Sequence, residues 1–411
     1  MRILHTADWH LGKLLKTYSR HEEQVAVLGE ICEIADREAV DVVLIAGDLY
    51  DGFNPPTESI ELFYKTLKRL SKNGTRPVVA IAGNHDSPER IEAPDPLARE
   101  CGIVFAGYPF SCLHPFSLET GLEVSRSEKG FIELILPRIG ERLRILITPY
   151  ANEYRLKRSL AGERKDEGIR QILEAHWREM AERYCDENGV NVMLAHQYVM
   201  QKDGAAPKEP NDEEERGIID PRDVGGASTI FTQGIPSQMQ YVALGHLHRE
   251  QVIAELPCPV VYSGSPLSYS YAEENQTKYV VIVEAEAGKR VEYRRVALEQ
   301  GRKLLTERFM NIEKALEWLE EHHEAWVELT IVSEHYMQAA DKKRLYAAHP
   351  RITAIIPEVD DLNGAEIGGS PRIDFNKGIE VHFVDYFKKS YKGNAPNEEI
   401  MGLFRECIQL D

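Results

Sequence analysis

Val78-Val79-Ala80-Ile81-Ala82-Gly83-Asn84-His85-Asp86 runs from an apolar, β-branched segment straight into an amide, an imidazole and a carboxylate. Such a run reads as a strand buried on both faces of an α/β sheet. The pattern recurs four times. Arg2 to Ala7 leads into Asp8-Trp9-His10, and Val42 to Ala46 leads into Gly47-Asp48. Val190 to Leu194 leads into Ala195-His196, and Tyr241 to Leu244 into Gly245-His246-Leu247-His248. Side chains at the carboxyl ends of neighbouring strands meet in one crevice, which is where such sheets bind ligands. Residues two apart on extended backbone point the same way, so Asp8 with His10, and His246 with His248, can each aim two donors into it.

In chain order the donors are Asp8, His10, Asp48, Asn84, His196, His246 and His248. Oxygen and nitrogen donors without thiolate suit Mn, Fe or Zn better than Ca. The set is what a site for two divalent ions needs. Each residue alone would say little: a strand-end His is commonly structural, and Asp8 alone would cap a turn. The signal lies in five strand ends that each offer a donor of the right type.

The chain has 411 residues, too many for one ordinary core, which implies two or three domains. No apolar run is long enough to span a bilayer, and the N-terminus starts as a strand without a signal-peptide pattern. A cytoplasmic, soluble protein is expected. The six cysteines show no Cys-x-x-Cys spacing, so buried thiols in a reducing compartment are expected rather than a zinc-thiolate site. A formal net charge of −18 argues against a free-standing basic nucleic-acid binder. It leaves phosphate substrates open, because bound divalent ions would make the cleft positive. An extended nucleic acid would need a local basic surface or a partner.

Strands and helices alternate in the first part. A helix is expected from Glu22 to Glu38, with Val25, Leu28, Cys32 and Ala35 on one stripe. A second carries Ile60, Phe63, Leu67 and Leu70, with Thr57 as its cap. Further strands are expected at Phe131 to Leu136, Arg144 to Thr148, Pro259 to Ser263 and Tyr279 to Glu284. Lys202 to Thr229 is polar and rich in Gly and Pro, and reads as a long surface loop beside the site. From Ala287 a small α+β unit is expected, with a strand at Val291 to Leu298 and a helix at Ile312 to His322. A strand at Trp326 to Val332, a helix at Ala339 to Ala348 and a strand at Ile352 to Pro357 complete it. Asp360 to Ile373 reads as a linker, and the tail ends in an amphipathic helix with Ile400, Leu403, Phe404, Cys407 and Ile408 on one face.

Gly47-Asp48-Leu49-Tyr50-Asp51, Gly83-Asn84-His85-Asp86 and Gly245-His246-Leu247-His248 resemble the signature of calcineurin-like metallophosphoesterases. Asp8-Trp9-His10-Leu11-Gly12 and the domain order narrow the resemblance to SbcD-type nuclease subunits of bacterial double-strand-break complexes. The resemblance implies a four-layer α+β sandwich of two mixed sheets flanked by helices. It also implies three parts: a metallophosphoesterase nuclease domain over residues 1–286, a DNA-binding capping domain over 287–376, and a C-terminal segment over 377–411.

It implies that Asp8, His10, Asp48 and His248 hold one metal and Asp48, Asn84, His196 and His246 the other, with manganese as the ion. The implied activity is Mn-dependent hydrolysis of DNA phosphodiesters, as double-strand exonuclease and single-strand or hairpin endonuclease, in repair, recombination and replication. His85 would be the general acid, and Asp51 resembles the carboxylate that pairs with this His in related protein phosphatases. Archaeal relatives resemble the chain but carry a His near this place, so a role tied to that His does not carry over. The implied partners are DNA and an SbcC-type coiled-coil ABC ATPase docked by the C-terminal segment. A homodimer within a heterotetramer is also implied, for which the Ile60/Phe63/Leu67/Leu70 stripe is one candidate face and ordinary core packing the other reading. Lys13, Lys16, Arg20 and Arg90 are candidates for flanking DNA phosphates. The alternative is a phosphoesterase for small phosphodiesters or phosphoproteins, against which the small domain and the tail weigh.

Overall fold

The computed structural model describes residues 1–157, 165–204, 206–208, 228–333, 337–359 and 379–390, with positions 396, 400, 401 and 404. Its contacts divide into two units, Met1–Glu358 and Val359–Asp411.

The five strands read from the sequence are all present: β1 (Arg2–Thr6), β2 (Val42–Ile45), β3 (Val78–Ile81), β4 (Val190–His196) and β5 (Tyr241–Gly245). The first three belong to a six-stranded sheet ordered Glu292–Ala297, Tyr279–Glu284, β1, β2, β3, Ile103–Ala106. The last four of these run parallel, and Tyr279–Glu284 is antiparallel to β1. β4 and β5 lie side by side, parallel, in the centre of a seven-stranded sheet that also contains Arg142–Thr148 and Val260–Tyr262. Both sheets are mixed.

One core fills the space between the sheets, with Ile3, Val42, Leu44, Val79 and Ile81 facing Ile145, Val192, Leu194 and Ala243. The opposite face of the first sheet (Leu4, Val43, Ile45, Val78, Ala80) is covered by α1 (His21–Arg37) and α2 (Thr57–Ser71). The outer face of the second sheet is covered by α3 (Lys165–Tyr184), through Ile169, Leu173, Trp177 and Met180. These are the four expected layers. Strands covered on both faces need apolar residues at every position, which is why the sequence shows unbroken runs there.

Several details depart from expectation. In α1 the first turn buries Glu23 and Gln24, which turns Val25 outward to 46% exposure, while Leu28, Cys32 and Ala35 are buried as read. α2 begins at Thr57 itself, after Pro56, with no side-chain cap. Its Phe63, Leu67 and Leu70 are buried in the chain's own core and Ile60 packs against it, so the stripe is not a free face for a second copy.

The small α+β unit has a three-stranded sheet ordered Leu304–Phe309, Trp326–Ser333, Ile352–Val359, with helices Ile312–Glu321 and Ala339–Ala348 and its own core. The strand Glu292–Ala297, expected to open this unit, instead pairs with Tyr279–Glu284 as the edge of the first sheet. The boundary expected at residue 287 therefore falls inside the first sheet. Leu15, Tyr271, Leu304 and Trp326 share a cluster, and Trp326 Nε1 donates to Glu23 at 2.9 Å, so this unit is packed onto the body.

In the second unit, helix Ile379–Ser390 carries Phe383, whose ring stacks on Phe404 at 3.9 Å. The expected linker at 360–373, most of the loop at 202–229, and Leu403, Cys407 and Ile408 lie outside the described residues. Among the described residues no helix is long and apolar enough to cross a membrane.

Candidate metal centre

The ends of β1 and β2 run on together as paired loops: Asp8 N donates to Gly47 O at 2.9 Å and His10 N to Asp48 O at 2.9 Å. Asp8, His10, Asp48 and His246 all take positive φ, at 55°, 43°, 49° and 109°. Such backbone is uncommon for residues with a Cβ and clusters at functional sites. Gly83 and Gly245 let the pieces approach closely. A methyl on Gly83 would collide with Asp48 Oδ1, and one on Gly245 with Ala46 O of the facing sheet.

All seven donors read from the sequence meet in one cluster, with Asp8, His10, Asp48, His196 and His246 buried and Asn84 and His248 half-buried. His10 Nε2 lies 3.0 Å from His248 Nε2 and 3.5 Å from Asp48 Oδ2. Asp48 Oδ2 lies 3.5 Å from His196 Nε2, which is 3.0 Å from Asn84 Oδ1. Asn84 Oδ1 is 3.1 Å from His246 Nδ1. The backbone N–H of His246 donates to Asp8 Oδ1 at 2.9 Å and ties Asp8 to the cluster. Asp8, His10 and Asp48 offer donor atoms mutually within 4.8 Å.

Neighbouring groups fix the protonation of the rings. His196 Nδ1 is 2.7 Å from Ala46 O, an acceptor only, so Nδ1 carries a proton and Nε2 is the atom that would coordinate a cation once its own proton is displaced. His10 Nδ1 lies 3.4 Å from Asp51 Oδ1, leaving its Nε2 toward His248 and Asp48. Burial disfavours charge on His10 and His248 and pulls both below the ordinary imidazole value. Burial also works against a charged His196, but the Asp48 carboxylate outweighs it and raises this ring to about 9. Asp48 is held well below the carboxylate range: burial opposes its ionisation, and His196 and His10 overcome it. Two carboxylates, an amide oxygen and four imidazoles gathered in one place fit a pair of borderline divalent cations, which would displace the protons the rings hold without them.

His85 and Asp51 sit at the rim of the cluster. The His85 N–H donates to Asp48 Oδ1 at 2.9 Å, and its ring lies 4.8 Å from that of His10. His85 Nδ1 donates to the backbone O of Asp51 at 3.0 Å. The Asp51 carboxylate offers an oxygen within 4.8 Å of a His85 ring nitrogen, but its hydrogen bond goes to Lys13 Nζ at 2.9 Å and it lies 3.4 Å from His10 Nδ1. The hydrogen bond that holds His85 is thus to the peptide group of Asp51, while the Asp51 carboxylate lies between His85, His10 and Lys13. Burial raises the Asp51 carboxyl, and His10 and Lys13 more than reverse this.

Sequence reasoning passed over Asp86, Gln24 and Arg155. Asp86 accepts from Gly83 N at 2.8 Å, Leu49 N at 3.0 Å and Tyr50 N at 2.9 Å, and so joins the third motif to the second. Burial and the Asp48 charge push its carboxyl up to about 6, against the pull of those three donors. Gln24 takes Gly12 N at 3.2 Å and gives its amide to His10 O at 2.9 Å. The Arg155 guanidinium reaches Gly83 O and Asp86 O, both at 2.7 Å. A buried polar residue on an otherwise apolar face was the available signal for Gln24; nothing in the sequence marks Arg155.

Of the basic residues read as phosphate contacts, Arg20 is 1% exposed and bonded to Glu23 and Ser268 O. Lys16 is paired with Glu328 and Lys13 with Asp51. Arg90 holds the loop after Asp51, through Phe53 O and Asn54 Oδ1 at 3.2 Å each.

Known proteins include relatives of this chain. The family described as calcineurin-like phosphoesterase matches residues 1–200. A Bacillus subtilis protein, named as the SbcD component of the SbcCD nuclease, is 35% identical over 413 residues, covering 99% of this chain and 97% of its own. The Rhodobacter capsulatus protein of the same name is 32% identical over 291 residues, covering 70% and 67%. Among solved structures, a dimetal phosphatase from Danio rerio covers 73% of this chain and 99% of its own, at 12% identity and a TM-score of 0.36.

Proposed function

The chain belongs to the SbcD family of SbcCD nuclease components, within the calcineurin-like phosphoesterases, and on that footing we propose that it cuts DNA by metal-dependent hydrolysis of phosphodiester bonds. The observation that carries the chemistry is the single cluster of Asp8, His10, Asp48, Asn84, His196, His246 and His248, with His85 at its edge. In this reading Asp8, His10, Asp48 and His248 hold one divalent ion, and Asp48, Asn84, His196 and His246 the second. Asp48 is shared and manganese is the ion. Two ions so placed supply Lewis-acid neutralisation of the phosphate and a nucleophile from water at neutral pH.

The protein's own groups do the rest. The Asp51 carboxylate, 3.4 Å from His10 Nδ1, favours a proton on that nitrogen and would leave Nε2 to coordinate. His85, tethered through Nδ1 to Asp51 O, uses Nε2 to hold a proton and deliver it to the departing sugar oxygen. The buried walls exclude bulk water and strengthen each of these interactions. The small α+β unit beside the site contacts the DNA strand, and the C-terminal segment docks a coiled-coil ABC-type ATPase. The assembly is built on a dimer of this chain and works in the cytoplasm on broken DNA ends.

The test uses the full chain with duplex DNA, hairpin DNA and a small phosphodiester, in Mn²⁺ and after chelation. Both DNAs should be cut, with activity lost on chelation and regained with Mn²⁺. Turnover of the small ester with intact DNA would overturn the nuclease reading in favour of a small-molecule phosphoesterase.

A further inference from the structure

The turn that presents Asn84 and His85 is poorly closed by its own backbone. The hydrogen bond from Asp86 N to Gly83 O is 3.4 Å long, near the limit of a useful contact. The turn is instead gripped from two sides. On one side the Asp86 carboxylate takes the Gly83 N–H. On the other, Arg155 Nη1 donates to Gly83 O at 2.7 Å, and Nη2 to Asp86 O at 2.7 Å and to Asn84 O at 3.4 Å.

This guanidinium is 5% exposed and lies over the Tyr150 ring, 5.0 Å from its centroid. Tyr150 in turn lies 6.5 Å from the rings of both His196 and His246. Arg155 sits on the short helix Glu153–Leu156, which follows strand Arg142–Thr148 of the second sheet, whereas the turn ends β3 of the first. The side chain therefore spans the two sheets where the donor cluster is split between them. Its donors point at carbonyl oxygens rather than at the cluster's lone pairs, which leaves the cluster open to cations.

We propose that Arg155 is a positioning residue. By clamping the Gly83–Asp86 turn it sets the Asn84 amide against His196 and His246, and the His85 ring against the reacting phosphate. This rests on the two-ion hydrolase reading above. A lysine cannot replace it, because one ammonium does not present the planar fork that reaches two carbonyls at once.

The experiment compares the full-length wild type with Arg155→Lys and Arg155→Ala. It measures Mn²⁺ binding by calorimetry without substrate, kcat and KM on DNA, and the thermal midpoint. One of the two Mn²⁺ sites should weaken by about tenfold or more while the other holds. The kcat should fall by about tenfold or more with KM within about twofold, in both variants. Millimolar guanidinium should restore part of the kcat of Arg155→Ala but none to Arg155→Lys, whose own side chain fills the slot. Wild-type Mn²⁺ binding and kcat in Arg155→Lys would overturn the proposal. So would a loss that merely tracks the thermal midpoint without guanidinium rescue. If Arg155→Ala does not fold, the lysine variant decides. A wild type that binds two Mn²⁺ ions but leaves DNA uncut would count against the nuclease reading, and the calorimetry would still judge Arg155.

Discussion

The Asp86 carboxylate offers nothing to the cleft, yet its three backbone donors come from two different motifs. Replacing it by Asn sets an amide N–H against one of those donors. Asp86→Asn should lower unfolding free energy by about 2 kcal/mol in denaturant titration, the usual cost of an unmatched buried donor. Asp51 and His85 separate by what they hold. Asp51→Ala should weaken Mn²⁺ binding by about 10–100-fold, because it removes the support behind His10. His85→Gln should leave Mn²⁺ binding intact and reduce turnover by about two orders of magnitude. Calorimetry beside single-turnover cleavage checks both, and the opposite pattern would exchange the two roles. The donors themselves were legible because each ends an apolar run, as Gly83-Asn84 ends β3. The supporting contacts were not. Whether the carboxylate or the peptide oxygen of Asp51 meets His85 depends on loop geometry that spacing does not encode.

At the level of elements, the buried parallel strands could be read because both their faces are apolar. Edge strands could be read only in part: Glu292–Ala297 and Ile352–Val359 were legible and others were not. Glu123–Glu128 has a single buried hydrophobic residue, Val124, and becomes a strand only by pairing with Phe131–Ile135. α3 escaped notice although Ile169, Leu173, Trp177 and Met180 repeat at helical spacing, because charged residues crowd its outer face. Leu304–Phe309 was missed for a related reason: it alternates weakly and gains its partner Trp326–Ser333 only in the folded unit. The start of α1 carries a junction that no periodicity predicts. Buried Glu23 receives Arg20, Trp326 Nε1 and the backbone of Arg302 together. Glu23→Ala would strand the Arg20 guanidinium in the interior. It should destabilise the protein by about 3–5 kcal/mol, seen as a lowered denaturation midpoint.

For the whole molecule, a net charge of −18 sets the terms for binding a polyanion. The candidate basic residues near the site are largely engaged with carboxylates or the backbone. The chain alone should therefore hold DNA weakly, with only a shallow further loss as salt rises, and the proposed ATPase partner should restore affinity. Removing residues 396–411 should abolish co-purification with that partner while sparing Mn²⁺-dependent cleavage. Retained association would exclude the tail as the dock. The donor set is shared between two sheets: Asp8, His10, Asp48 and Asn84 follow strands of one, and His196, His246 and His248 come from the other. Neither sheet holds the whole proposed set, so ions bound by the folded chain would draw molecules away from the unfolded ensemble. At a hundred times its dissociation constant, each Mn²⁺ should add about 2.7 kcal/mol against global opening. Hydrogen exchange should slow in both sheets at once when Mn²⁺ is added, as for a clasp that fastens two leaves of one book.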